Sequence, residues 1–283
     1  VLDFKNRLYL SKWGAMLSQI EKSFNRALFD SIQRKKLFFT FPCACLCGLF
    51  FVFCQIVSKS SGKWIQMFFN FLPIFLAFGV LLAVGVVLIK VYYFETKKTE
   101  HSFKKIIYCS SQMLLNIAYL ALPFILAYIA TWIVLGIFYL LKSIPFLGEA
   151  FGSLFAFIPF LLVLIGILLT ISTLFSLFFL APEVTLKTGL KFSLIKQLVT
   201  KLKLSFFSDL AYVLIGIAPA WISFKILSLA AKLTYSLCFS GSTEVAFAFQ
   251  SLFIMIPFCA LMTPSVIFFF NFSTECYLMN EKE

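Results

Sequence analysis

Residues 37–57, LFFTFPCACLCGLFFVFCQIV, contain no charged side chain, and comparable apolar runs recur down the chain with short polar segments between them. A helix that crosses the hydrocarbon layer needs roughly 20 predominantly apolar residues. By that measure the pattern predicts six spans, near 37–57, 65–89, 117–141, 157–180, 210–231 and 245–272. The third and fourth lie in tracts too long for one crossing. Ser110, Ser111, Gln112 and Asn116 push the start of the third back towards Ile117. Tilt, or a preamble on the far side of the bilayer, absorbs the excess of the fourth. The expected fold class is all-α, a polytopic transmembrane helical bundle of three hairpins in one integral membrane domain over residues 1–283.

The polar segments have a pattern of their own. From Ser193 to Lys203, Leu194, Ile195, Leu198, Val199 and Leu202 share one arc of a helix, while Lys196, Gln197, Thr200, Lys201 and Lys203 share the other. That is an amphipathic helix suited to the membrane interface. Lys196, Lys201 and Lys203 are its expected contacts with anionic phospholipid headgroups, each worth roughly 1 kcal/mol near the surface. The leader, residues 1–36, repeats the design. Trp13, Met16, Leu17, Ile20, Phe24, Leu28 and Ile32 form the apolar face, and the spacing of Arg26, Asp30 and Arg34 predicts ion pairs four apart. Lys97 to Gln112 is a shorter third version. The chain thus reads as a topological repeat with units near 13–95, 97–183 and 184–275, each an interfacial helix followed by a hairpin.

Charge then orients the bundle. Of the 24 Lys and Arg residues, 19 fall in segments 1–36, 90–105, 183–209 and 273–283, which share one side. Four fall in segments 58–64, 142–150 and 232–244 on the other, and Lys225 lies inside a span. Such an excess marks the cytoplasmic side, so both termini are expected in the cytoplasm. The net charge of +12 does not point to nucleic acid, because the cations sit between apolar tracts and not on a polar domain. Nor is a cleavable signal expected, since the first apolar run begins behind a charged leader.

Each expected span carries a proline: Pro42, Pro73, Pro123, Pro159, Pro219 and Pro257, with Pro264 a second in the last. These are candidate kink residues. Proline is common in membrane helices in general, and a set of kinked helices around a cavity or gate is the sharper alternative. Lys225 is the one charge inside an expected span and so a candidate intramembrane functional residue. It lies about 10 Å of helical rise from the outer end. Snorkelling, or pairing with Glu149 or Glu244, is the plainer reading of it. Thr170, Ser172, Thr173 and Ser176 form a hydroxyl run that either bonds its own helix, joins helices or lines a polar path. Gly79 and Ala83 form a small-xxx-small pair suited to close helix packing.

Catalytic and cofactor chemistry is not written in the chain. Cys43, Cys45 and Cys47 point in diverging directions on one helix, so they are read as packing residues and no metal site is expected. A Cys54–Cys238 bridge is a minor alternative. His101 is the single histidine, in a basic segment, and is read as solvated. There is no Walker A, no HExxH and no CxxC pair. No cofactor is expected.

The stretch LFFLAPEVTLKTGLKFSLIKQLV, where a span ends in Ala-Pro and a basic helix leads to the next hairpin, together with FNRALFDSIQRKKLFF in the leader, resembles a loose group of six-helix bacterial inner-membrane proteins. The group includes the membrane domain found with some glycerophosphodiester phosphodiesterases. Usage of Phe, Lys and Cys is similar to that of AT-rich intracellular bacteria such as chlamydiae. The resemblance implies a bacterial cytoplasmic membrane and brings no catalytic motif. The expectation is a multi-pass, non-enzymatic, permease-like or lipid-interacting protein. The alternatives are a scaffold or assembly factor that docks an unidentified protein through its cytoplasmic helices, and a lipid-modifying enzyme.

Overall fold

The computed structural model describes the backbone of residues 18–60, 62–98, 103–142, 157–186, 192–238 and 244–280, with residues 144 and 155; side chains at 111–121 and 192–208, among others, lie outside the description. Every described segment of regular structure is helical. A leader helix α1 covers 18–31. It is followed by α2 (Arg34–Ser60), α3 (Lys63–Thr96), α4 (Phe103–Lys142), α5 (Phe157–Leu186), α6 (Phe192–Cys238) and α7 (Glu244–Asn280). Each of α2 to α7 contains a stretch long and apolar enough to cross a membrane. The chain is therefore a polytopic helical membrane protein, as the hydropathy pattern requires.

Consecutive helices pack as three hairpins, α2 on α3, α4 on α5 and α6 on α7. The hairpins meet through α3 and α7, which touch each other; α2 and α5 each touch both of them. Helix α4 adds to the α3–α5 side and α6 to the α7 side.

The helices outrun the expected spans. Helix α6, at 47 residues, rises about 70 Å, more than twice the hydrocarbon thickness. The amphipathic segments at 97–112 and 193–203 differ from the leader here. The helical part of each runs without a break into the spanning helix that follows, and only α1 is a separate helix. Likewise Lys90 and Glu275, expected in loops, lie in α3 and α7. Helix α3 stops where Lys98 takes a left-handed φ of 53° and its N–H turns back to Glu95 O at 3.1 Å.

Close approach is made at glycines. An added Cβ at Gly85 in α3 would collide with the Phe270 ring, at Gly48 in α2 it would lie 2.6 Å from Cys259 Sγ, and at Gly216 in α6 it would lie 2.7 Å from Phe178 Cε2. At these three contacts the missing side chain leaves the recess that a neighbouring helix's side chain fills. The expected Gly79–Ala83 motif does not do this, because a Cβ on Gly79 would meet nothing within 4 Å.

The core lies at one end of the bundle. Leu82 to Ile89 of α3, Leu177 to Val184 of α5, Val213 of α6 and Ile267 to Phe272 of α7 form it, with Ala27 of the leader. This is the end at which the sequence places the cations. More than half of the α3 apolar window is buried (56%), against 11% for α4, α5 and α6.

Candidate functional site

The basic end of α7 reads FFFNFSTEC, a polar run that begins at Asn271 as the phenylalanines give out. Helical winding would expose half of it on an isolated helix. Here Asn271, Ser273, Thr274 and Glu275 are all buried, because α1, α3 and α5 close around them. Buried polar groups need partners. Thr274 Oγ1 donates to Phe270 O at 2.8 Å, Ser273 Oγ donates across to Phe178 O of α5, and Asn271 Nδ2 donates to Ala27 O of the leader at 3.4 Å.

Glu275 is the centre. Its carboxylate accepts from Tyr92 OH of α3 at 2.7 Å, from Arg26 Nη1 of α1 at 3.1 Å and, at the long distance of 3.5 Å, from Ser23 Oγ. Ser23 Oγ also lies 3.2 Å from Met279 Sδ. A carboxylate removed from water is costly unless paired and hydrogen-bonded, and these contacts supply both. The Arg26 guanidinium, in turn, is held charged beyond its ordinary value chiefly by the Glu275 charge and hydrogen bond.

A second pair stands beside the first. Lys36, at the start of α2, is fully buried, with Nζ 2.6 Å from Glu95 Oε2 and 4.8 Å from the centre of the Tyr92 ring. The contact is an ion pair by distance, although the ammonium lacks a well-aligned hydrogen bond. Tyr92 thus joins the two pairs, its face towards a lysine and its hydroxyl towards a glutamate. Two cations and two carboxylates from four elements balance in charge. One turn deeper, Thr40 Oγ1 and Asn271 Oδ1 are buried without a hydrogen-bond partner.

Lys90 is a further buried cation. Its Nζ donates to Cys109 O at 3.2 Å and lies 3.4 Å from Cys109 Sγ, across the α3–α4 contact.

The candidate site residues of the sequence that are described fall elsewhere. Lys225 is exposed on α6, on a stretch that also exposes Trp221, Ile222, Phe224 and Ile226, and its ammonium stands 5.6 Å from the Trp221 ring. Glu149 and the side chain of Glu244 lie outside the described residues, as does His101. Lys196, Lys201 and Lys203 lie on the first turns of α6, with side chains outside the description. Pro42, Pro123 and Pro257 are exposed, Pro73 is buried, and Pro219 is half-buried within α6. Pro159 occupies the first turn of α5, where a missing N–H costs no helical bond. Pro182, expected at the end of a span, is buried inside α5. The hydroxyl run joins helices. Tyr128 OH and Thr170 Oγ1 are 2.8 Å apart between α4 and α5, and Thr170 and Thr173 also bond their own backbone. The described cysteines are free, and Cys259 Sγ lies 3.4 Å from Ala44 O; the side chain of Cys238 lies outside the description.

Glu275, Tyr92, Lys36 and Lys90 were not among those residues. Their signal in the sequence is faint: a polar run at the end of a span, and Asn271 and Glu275 four apart on one helical face. Arg26 was expected to pair with Asp30. It bonds Glu275 instead, and Asp30 accepts from Gln33 Nε2 at 3.1 Å.

The chain matches no family model, no curated protein and no solved structure. Its function must therefore be argued from the geometry alone.

Proposed function

We propose that the chain is a permease-like membrane protein with its basic end closed, and that the Arg26–Glu275–Tyr92–Lys36–Glu95 cluster is the closure. The observation that carries this reading is the contrast along the bundle axis. Four elements are tied together by paired charges at one end, while the described side chains of α4 over 122–141, of α5 over 157–172 and of α6 over 217–237 are mostly exposed or half-buried. Charge pairs that balance in one conformation are a common means of holding two-state helical assemblies, since separation leaves both partners unpaired. We place the basic end in the cytoplasm, on the strength of the lysine distribution, and the protein in a bacterial cytoplasmic membrane, on the strength of the resemblance carried by residues 177–199 and the leader.

The test is flux through proteoliposomes, followed by light scattering for neutral solutes and by fluorescent indicators for protons, potassium and chloride. Glu275→Gln weakens the closure while keeping the side-chain shape. It is expected to raise the flux of one of these species at least several-fold over wild type. If wild type and the variant both leave every species as impermeant as protein-free liposomes do, the reading fails.

A further inference from the structure

Helix α1 carries three kinds of surface. Ile20, Phe24 and Ala27 face the bundle, where the Phe24 ring meets Phe268 and Phe272 edge-on at 5.0 and 6.2 Å. Leu28, Phe29 and Ile32 face away, and Phe29 and Ile32 are 74% and 62% exposed. Lys22 and Arg26 occupy the remaining arc, both exposed. An interfacial helix needs only two faces, one apolar and one charged. The third face here is the one that docks on α7.

The adjoining start of α2 fixes where this corner stands. The α2 span begins at Arg34, so Arg34 and Lys35, both exposed, lie at its inner mouth. Phe38, one turn further in, is 84% exposed. Four residues of helix rise about 6 Å. The corner therefore presents cations at one level and the bare ring of Phe38 one turn deeper, with Phe29 and Ile32 exposed on the adjoining helix. A phospholipid has the same order, with phosphate above and acyl chain below. With Arg26 paired to Glu275, three cations, Lys22, Arg34 and Lys35, stand against two carboxylates, Glu21 and Asp30, at this corner, and the balance still favours an anion.

We propose that the α1–α2 corner binds an anionic phospholipid of the surrounding bilayer. Arg34 and Lys35 take the phosphate, while Phe29, Ile32 and Phe38 lie against the acyl chains. The bound lipid presses α1 onto α7 and so supports the Ser23 and Arg26 contacts to Glu275. This inference goes beyond the transport reading and does not depend on it: lipid binding is read from α1, flux from the whole molecule.

The experiment is hydrogen–deuterium exchange of the full chain in nanodiscs of phosphatidylcholine alone and of phosphatidylcholine with phosphatidylglycerol. Phosphatidylglycerol is expected to slow exchange across residues 18–31 by roughly tenfold, the scale of one or two cations at an anionic surface. Arg34→Gln with Lys35→Gln is expected to abolish that difference while residues 84–92 keep their protection, which shows that the core is intact. Should the double variant lose that core protection, the wild type in molar salt answers the same question, because screening removes a headgroup effect. Equal exchange in the two lipids overturns the proposal, as does a difference that survives both the double variant and molar salt. A Phe29→Cys chain that cross-links to a second copy with equal yield in both lipids also overturns it, since another protein then covers the face.

Discussion

At the scale of single residues, Tyr92 has the most to lose. Tyr92→Phe keeps the ring beside Lys36 but leaves Glu275 without its shortest partner, and should lower stability by about 1.5–3 kcal/mol, the range for a hydrogen bond to a charged group. Thermal unfolding in detergent measures it, and a loss below a few tenths of that would show the hydroxyl to be dispensable. Arg26 contributes differently with pH. Its folded value is raised, chiefly by the Glu275 charge, so its contribution is fully present below the ordinary guanidinium value and is lost only above the folded one. Alkaline titration to about pH 10 should leave the Arg26–Glu275 contact intact. The glycines separate close packing from coincidence. Gly85→Val must displace Phe270 and should cost about 1–3 kcal/mol, whereas Gly79→Val should be near neutral because that face is open. Equal melting points for the two variants would contradict the packing described.

Among the elements, α1 is the one whose place is set by tertiary contacts alone. Among its described residues, what holds it is the Phe24 contact with α7 and the hydrogen bonds to Glu275 and from Asn271. Phe24→Ala combined with Arg26→Ala should free it, and trypsin should then cut within 18–35 at least tenfold faster while the spanning helices stay intact on gels. An unchanged cleavage rate would mean that other contacts hold the helix. The leader also shows where sequence reasoning stops. Its three-and-four spacing predicted the helix and included Ile20 and Phe24 in the apolar face, but treated that face as one surface. The structure divides it between α7 and the outside, and no periodicity in α1 could have shown this, because the division depends on what α7 presents.

For the whole molecule, the six crossings and the gathering of their basic ends agree with hydropathy and charge. An impermeant maleimide applied to sealed vesicles, on a background with Cys109→Ser, should label Lys98→Cys and Gly62→Cys from opposite sides, since α3 separates them. Same-sided labelling would refute the crossing of α3. Helix ends were less legible. Apolar runs mark the part of a helix within hydrocarbon, but α3, α6 and α7 continue past it, and nothing in hydropathy reports a helix that keeps going among polar neighbours. Lys90 and Glu275 were placed in loops for this reason.

What the chain dictates unaided is its solvent. Long uncharged runs cannot leave backbone groups unpaired in lipid, so they must be helices, and the surplus of cations in alternate segments sets which ends belong together. The folded bundle alone decides which polar side chains are hidden. Burial of Lys36, Tyr92 and Glu275 is a property of four elements meeting at one end, and the partners lie 249 and 183 positions apart in the chain for Arg26 and Tyr92 with Glu275. A charge near the end of an apolar run looks the same in sequence whether it faces water or a partner, because the energy that distinguishes the two comes from neighbours supplied by other helices.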